Sequence, residues 1–375
     1  MSKNKYVLAV DIGSSKIRAM LAANGINDTF NVKCEKQVDY DGFYQGEFLR
    51  QEKLSYIFEQ IFQELNITLE KVDKIFVGVP AEFSSVRTTD VTIHFGDRKK
   101  VKKQDIDSLY YMASEKAKNA DVEVISASPI EFTLDDGRFT SEPIGEFASS
   151  VSAKMSIIYA DRKFIDLFNS IISGFDFASV EYLSEALSQA LFIIPKEKRE
   201  DFSLIVDVGD LTTSIAFAKG DGLVGLTSFA RGGGFITNDL AEAFELSMNE
   251  AGKLKREVVL SLKGGPSDFY EVSLDSGKSK KIPMQSANEV ASYRIEELSQ
   301  VIVKCVQMWR NENTTYLPVY LTGAGVSKLK GGRDYLAKCL GRNVTYGVPP
   351  LPGKDKPEFA SIYSLVNQAL KSENL

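Results

Sequence analysis

Histidine is almost missing: His94 is the one imidazole in 375 residues. A zinc site built on several histidines cannot come from this chain alone. A Ser-His-Asp or Cys-His catalytic arrangement would rest on that single ring, which argues against both. Cysteine is scarce too. Cys34, Cys305 and Cys339 lie far apart and form no C-x-x-C, a sparse odd set that reads as reduced, buried thiols. No apolar run approaches the roughly 18 residues of a membrane span. The short run Val7–Val10 ends at Asp11 and is too brief for a signal-peptide core. Positive charge is in deficit, with 45 Lys and Arg against 51 Asp and Glu, a net charge of −6. Such a chain repels nucleic acid, and none is expected as a partner. These absences predict a soluble, cytoplasmic protein.

What remains is ordinary globular composition, 43% hydrophobic and 26% charged. At roughly 150 residues per domain the length allows about two to three domains. The first segment, Tyr6-Val-Leu-Ala-Val-Asp11-Ile-Gly13-Ser-Ser-Lys-Ile-Arg-Ala-Met-Leu-Ala22, opens on a continuous apolar run that suits a strand buried on both faces. Asp11, Gly13 and two serines make a turn, after which Ile17, Ala19 and Leu21 alternate with Lys16, Arg18 and Met20. That is the strand period, so the unit is strand, tight turn, strand, whereas a Rossmann or P-loop glycine turn feeds a helix. The same unit returns at Leu204-Ile-Val-Asp207-Val-Gly209-Asp210-Leu-Thr212-Thr213-Ser-Ile-Ala-Phe-Ala218. Two copies at domain-sized spacing predict a duplicated fold with two facing lobes. A third glycine turn, Thr322-Gly323-Ala324-Gly325, follows the short apolar strand Leu317–Leu321.

Between these units Leu54, Ile57, Phe58, Ile61, Phe62 and Leu65 have helical spacing, as do Phe164, Leu167, Phe168, Ile171 and Ile172. Strands alternating with helices make the chain α/β. Residues 83 to 159 break the rhythm and read as a small inserted α+β domain. It would hold one helix near Asp105–Lys118 and strands at Glu123–Ala127, Ile130–Leu134 and Val151–Ile158. Its basic run, Arg98-Lys-Lys-Val-Lys-Lys103, has no interleaved aromatics and is expected to be a solvated loop ahead of the helix. His94, in the alternating segment Val91-Thr-Ile-His-Phe95, is expected to be a surface or packed residue.

The three turns carry the chemistry. Successive amides in a glycine-containing turn form a concave anion site, and small residues let phosphate approach the backbone. Gly13, Ser14 and Ser15 would supply amides and hydroxyls, with Lys16 adding charge; Gly209, Thr212 and Thr213 would act likewise from the second lobe. Asp11 and Asp207, each at a strand end, are placed to hold Mg²⁺ through water, since hard cations bound with phosphates use one or two carboxylates and keep several waters.

Two such hairpins with a Leu-Thr-Gly-Ala-Gly325 turn resemble the actin, Hsp70 and sugar-kinase superfold. Within it the chain is similar to the FtsA family, bacterial actin homologues that link the FtsZ division ring to the membrane. The stretches that carry the likeness are Ser128-Pro-Ile-Glu-Phe-Thr-Leu-Asp-Asp136, Glu142-Pro-Ile-Gly145 and Val151-Ser-Ala-Lys-Met-Ser-Ile-Ile158, which resemble that family's small extra domain. Gly232-Gly-Gly-Phe-Ile-Thr-Asn-Asp-Leu-Ala241 resembles its segment after the second hairpin. The resemblance runs from Tyr6 to about Leu370. It implies an actin-like duplicated two-lobe fold with ribonuclease H-like lobes. Residues 1–82 and 163–200 would form the first lobe, with 350–375 returning to it; 83–162 would be the inserted domain and 201–349 the second lobe.

The resemblance further implies ATP and Mg²⁺ as ligands. Asp11 and Asp207 would be the metal-side carboxylates, and Gly13, Ser14, Ser15, Lys16, Gly209, Thr212 and Thr213 would line the phosphates. Gly233 and Lys255 would lie near the nucleotide, and Gly323, Ala324 and Gly325 against adenosine. Glu185 matches the place of a water-orienting carboxylate, and reads equally well as a partner of its helix dipole. Arg294 matches a position that contacts the acidic-apolar FtsZ C-terminal tail, although a surface salt bridge accounts for it as well. Self-association into a protofilament is implied too. Asp210 and Leu211 replace glycines of the second turn, Ala324 replaces another, and Gly252 stands where many relatives have glutamate. An ATP-binding switch or scaffold with slow hydrolysis at most is therefore expected. The sequence stops at Leu375 without the basic amphipathic helix by which the family reaches membrane. Either the chain was shortened or the membrane is reached through a partner. A PilM-type scaffold of pilus or secretion machinery is the alternative, and a small-molecule kinase of the same superfold a more distant one.

Overall fold

The computed structural model describes residues 6–26, 29–65, 72, 74–117, 119–175, 177–309 and 317–373. The chain begins with β1 (Tyr6–Ile12), β2 (Lys16–Asn24) and β3 (Phe30–Asp39), a short hairpin β4 (Phe43–Tyr44) and β5 (Glu47–Phe48), then α1 (Leu54–Glu64) and β6 (Lys74–Val79). An inserted segment follows with β7 (Ser84–Lys100), α2 (Lys103–Ala117), β8 (Val122–Leu134), β9 (Phe139–Thr140) and β10 (Phe147–Asp161). It gives way to α3 (Arg162–Ile172), β11 (Ser179–Ser184), α4 (Glu185–Ile193) and α5 (Lys196–Arg199). The second half comprises β12 (Ser203–Val208), β13 (Thr213–Lys219), β14 (Gly222–Phe229), α6 (Gly233–Ala243) and α7 (Met248–Glu257). It continues with β15 (Phe269–Ser273), β16 (Ser279–Pro283), α8 (Met284–Met308), β17 (Val319–Thr322), α9 (Gly332–Leu340), β18 (Val344–Tyr346) and α10 (Ala360–Ser372).

The two large sheets have one topology. In the first the order is β3-β2-β1-β6-β11, and in the second β14-β13-β12-β17-β18. Each is an antiparallel meander of three strands extended by two parallel strands. The apolar run of β1 is buried throughout because α10 packs on one face of its sheet, where Ile362, Leu365, Val366 and Ala369 meet Val7, Ala9 and Met20. On the other face α1 and α3 close over an aromatic layer in which Phe43, Phe83, Phe164 and Phe168 contact one another at edges and tilts. The second sheet is covered by α8, whose Ala287, Ala291, Ile295, Leu298 and Ile302 join one core with Val206, Val208 and Leu321. Between the sheets α4 belongs to both halves. Its Ala186, Leu187 and Ala190 pack on Ile205, Ala216 and Leu223, while its other flank touches α10. The molecule is thus an α/β actin-like duplication in which one helix ties the halves at the base of a cleft.

The inserted segment forms a four-stranded sheet, β7-β10-β8-β9, with α2 on one face. It differs from expectation at two places. The segments read as two strands are one strand, β8, which passes through Pro129. A proline is tolerated there because the strand is open on that side, and the Pro129 carbonyl accepts the Asp221 N–H at 3.0 Å. The basic run is not a loop either: Lys99 and Lys100 pair with Ala148 and Phe147 at the end of β7, and Val101 is buried. His94 is exposed on the same strand. The three thiols are free and half-buried rather than buried. Among the described residues no helix is long and apolar enough to cross a membrane.

Candidate functional site

The two hairpin turns are built alike. Gly13 N–H donates to the Lys16 carbonyl and Gly209 N–H to the Thr212 carbonyl, each at 2.9 Å. Equal arms then set Asp11 opposite Arg18 and Asp207 opposite Ser214. The turns meet across the cleft, where Leu211 N–H donates to Ser14 Oγ at 3.0 Å. Tyr40 supports the first turn from outside: its hydroxyl donates to the Gly13 carbonyl at 2.7 Å and its amide to the Ser15 carbonyl. Gly42 makes room for it. Its φ is +85°, and a Cβ there would stand 2.0 Å from the Ser14 carbonyl oxygen.

Three carboxyls converge at the cleft floor. Asp11 is 3% exposed, and accepts from Ser361 Oγ at 2.9 Å and from Arg18 at 3.4 Å. Asp207 accepts from Gln189 Nε2 at 2.7 Å, and Gln189 is itself fixed by the Thr322 hydroxyl. Burial, and secondarily the Asp11 charge, hold the Asp207 carboxyl above its ordinary value in spite of the Gln189 bond. Glu185, the first residue of α4, is pushed up furthest. Burial is the main cause, followed by the charges of Asp11 and Asp207. Its Oε1 is buried without a hydrogen-bond partner, in space that only a glycine at position 78 leaves open. A cluster of like charges beside an orphaned buried oxygen is what a bound cation would relieve. Among the described residues no three Asp, Glu, His or Cys stand close enough to hold a metal directly. The arrangement therefore fits a hydrated Mg²⁺ that takes its remaining ligands from water and phosphate.

The far wall comes from the third turn and the start of α6. Gly325 N–H donates to the Val208 carbonyl at 2.7 Å, and a Cβ on Gly325 would lie 2.4 Å from the Gly209 carbonyl. Gly233 and Gly234 donate to the Gly209 and Asp210 carbonyls. Gly233 is packed so closely on Gly325 that no side chain fits. Lys255 reaches in from α7 and donates to the Gly233 carbonyl. Burial, with help from Lys328 and against the pull of Asp210, pushes its ammonium down to about 8.

These walls enclose a cleft of about 450 Å³, within the range of small-molecule sites. Of the residues singled out from sequence, Asp11, Gly13, Ser14, Ser15, Lys16, Glu185, Asp207, Gly209, Thr212, Lys255, Gly323, Ala324 and Gly325 all line it. Two expectations are corrected. Thr213 is fully buried with its hydroxyl on the Arg231 carbonyl, because strand alternation sends Thr212 and Ser214 to the cleft and Thr213 to the core. Gly233 lies behind the lining, spent on packing against Gly325. The sequence reading also missed Arg18, Glu82, Arg256, Lys328 and Ser361, which line the cleft as well. Arg18 was countable, being paired with Asp11 by the hairpin; the others arrive through tertiary folding.

Arg294 lies apart from the cleft, on α8. It forms a two-pronged pair with Asp239 of α6 and also bonds Glu297, which joins Arg231 at 3.2 Å. Hydrogen bonding to Asp239 chiefly holds its guanidinium above the ordinary value. Phe235 is flanked by both arginines, 5.5 Å and 5.8 Å from its ring centre.

Comparison with known proteins places the chain. Residues 204–364 match the family described as cell division protein FtsA, and residues 83–159 match the SHS2 domain inserted in FtsA. Together these cover more than half of the chain. The cell division protein FtsA of Staphylococcus epidermidis is 20% identical over 380 residues, 99% of this chain and 80% of that protein. Among solved structures, the PilM-PilN type IV pilus biogenesis complex superposes with a TM-score of 0.64 at 16% identity, covering 97% of this chain and 98% of that one. MreB5 of Spiroplasma citri bound to AMPPNP gives 0.58 at 11% identity, covering 99% and 98%.

Proposed function

Because the chain belongs to the FtsA family of cell-division proteins, we propose that it binds ATP with Mg²⁺ between its lobes and serves as a scaffold of the division machinery. The observation that carries this reading is the pair of equivalent turns facing each other with Asp11 and Asp207 at their roots. Lys16, Lys255, Arg256 and Lys328 supply the positive charge that a triphosphate requires. MreB5, a protein of the same fold, was crystallised with a nucleotide analogue. Asp11 and Asp207 would hold the metal through water, and its charge would balance both the carboxyls and the phosphates. Glu185, poised on the first turn of its helix with a free oxygen, would orient a water. Leu211 and Asp210 restrict the second turn, and the Leu211 amide is already spent on Ser14, so hydrolysis is slow at most.

The partner reading follows the family. The Arg231–Arg294 pair around Phe235 offers cations and an apolar ring to an acidic-apolar peptide, which is the chemistry of an FtsZ C-terminal tail. Closure of the lobes on ATP would favour end-to-end association into a protofilament. The test is a binding titration of a fluorescent FtsZ-tail peptide against the ATP-loaded protein, repeated with Arg294→Glu and with a pilus-protein N-terminal peptide. Saturable binding of the FtsZ tail, lost in Arg294→Glu, is expected. Preferential binding of the pilus peptide would move the assignment to a PilM-type scaffold.

A further inference from the structure

The cleft holds one more carboxyl, Glu82, for which the reading above has no task. Pro80, at φ −62° and ψ 153°, leads from β6 into a single 3-10 turn, Ala81–Phe83. The turn divides its side chains. Phe83 is buried in the aromatic layer of the first lobe, while Pro80, Ala81 and Glu82 line the cleft with Phe43 and Glu185. Glu82 Oε1 accepts from the Gly46 N–H of the β4–β5 hairpin, which fixes the carboxyl in place. Its Oε2 is buried without a hydrogen-bond partner, as is Oε1 of Glu185. Tyr40 relates both carboxyls to the first turn. Its hydroxyl bonds the Gly13 carbonyl, and is held above its ordinary value by burial and then by the charges of Glu185, Asp11 and Glu82.

We propose that Glu82 is the general base of the slow ATP hydrolysis, taking a proton from the water that Glu185 orients. The proposal rests on the reading that ATP is held in the cleft. In the step, the water oxygen forms a bond to the γ-phosphorus. The bond from that phosphorus to the β–γ bridging oxygen breaks, and its electron pair leaves on ADP. The water proton passes to Glu82 Oε2 and then to solvent. The two carboxyls suit different parts because their surroundings differ. Glu185 is buried beside the negative charges of Asp11 and Asp207, all of which favour its protonated form. A protonated carboxyl can hydrogen-bond a water but cannot take its proton. Glu82 is raised by burial, with the Gly46 bond pulling the other way and no charged neighbour adding to the shift. A carboxyl raised in this way is the stronger base once ionised. The titratable groups around it are Tyr40, Glu185, and Tyr44 and Glu47 of the hairpin. β14, which the 3-10 turn also touches, carries no charged residue.

The test is phosphate release from the full chain loaded with ATP and Mg²⁺, over a pH series, for the unmodified protein, Glu82→Gln and Glu82→Ala. Glu82→Gln keeps an oxygen for the Gly46 N–H, so ATP affinity should be unchanged while phosphate release falls about a hundredfold. The unmodified rate should rise with pH as Glu82 ionises, and that limb should vanish in Glu82→Gln. Glu82→Ala leaves room for a small carboxylate, and added formate should raise its rate about tenfold, which a merely structural loss would not allow. Nucleotide-free melts give a readout independent of turnover. A carboxyl raised on folding contributes stability at low pH that is lost as pH climbs, so Glu82→Gln should flatten part of that decline. ATP binding without any phosphate release, release indifferent to Glu82→Gln, or a Glu82→Ala rate unmoved by formate overturns the proposal and leaves the nucleotide site standing. Absence of ATP binding overturns the reading of the cleft itself, and the proposal with it. Should Glu82→Ala lose its melt, the pH profile of Glu82→Gln decides alone.

Discussion

Lys255 and Glu185 are both held against their ordinary ionisation, and each yields a prediction whose sign follows from the shift. The Lys255 ammonium is pushed down to about 8 mainly by burial. Between that value and the unfolded value of about 10.4, the folded chain holds fewer protons than the unfolded one, so this residue's contribution to stability rises with pH. Lys255→Met should therefore raise the thermal midpoint of the nucleotide-free protein at neutral pH while weakening ATP binding. Melting curves and a nucleotide titration on one preparation would show both, and a variant that loses stability refutes the burial argument. Glu185 is the opposite case. A buried carboxyl raised well above its ordinary value contributes stability at low pH that is lost as pH climbs towards the folded value. Glu185→Gln should flatten that decline in a melt-versus-pH series and abolish slow phosphate release. At this scale the sequence was readable where a short-range rule applied. Asp11, Asp207 and Lys16 follow from turn chemistry, and Arg18 from counting across the hairpin. Tyr40 reaches the Gly13 carbonyl, and Gln189 and Ser361 reach the carboxyls, from distant segments that no local pattern announces.

Strand, turn and strand is the repeated element, and its tightness is set by glycines that touch backbone rather than by glycines that merely bend. A Cβ on Gly325 would fall 2.4 Å from the Gly209 carbonyl. Gly325→Ala should accordingly cost on the order of 1–3 kcal/mol and part the third turn from the second. Chemical denaturation would measure the loss, and a change within a few tenths of a kcal/mol would mean that the turns are not packed as described. Both hairpins were legible because period-two alternation and Asp-x-Gly turns are local signals. The same alternation, followed one residue further, separates Thr213 from Thr212 and Ser214. Pro129 misled the reading of β8, because a proline inside a strand signals a break unless the strand is open on that side. The end of β7 was hidden by its lysines, whose exposed heads look like loop while Val101 next to them is buried.

For the whole molecule, the two sheets of one topology, joined by α4 and touching at their turns, make a cleft whose floor belongs to both halves. The duplication was visible from two matching segments, whereas the parallel strands β6, β11, β17 and β18 that complete each sheet depend on long crossovers. Ser14 links the halves through the Leu211 amide, and Ser14→Ala should loosen this contact by about 1 kcal/mol. Small-angle scattering of the nucleotide-free variant should then report a more open molecule; an unchanged profile would mean that α4 alone sets the spacing. The central claim is that one nucleotide is held jointly by the two lobes. Calorimetric titration with ATP, with and without Mg²⁺, tests it on the unmodified protein, Asp11→Asn and Asp207→Asn. One ATP per chain is predicted, tightened by Mg²⁺, with that Mg²⁺-dependent gain lost when either aspartate is changed. No binding to the unmodified protein, or binding indifferent to both aspartates, would contradict it.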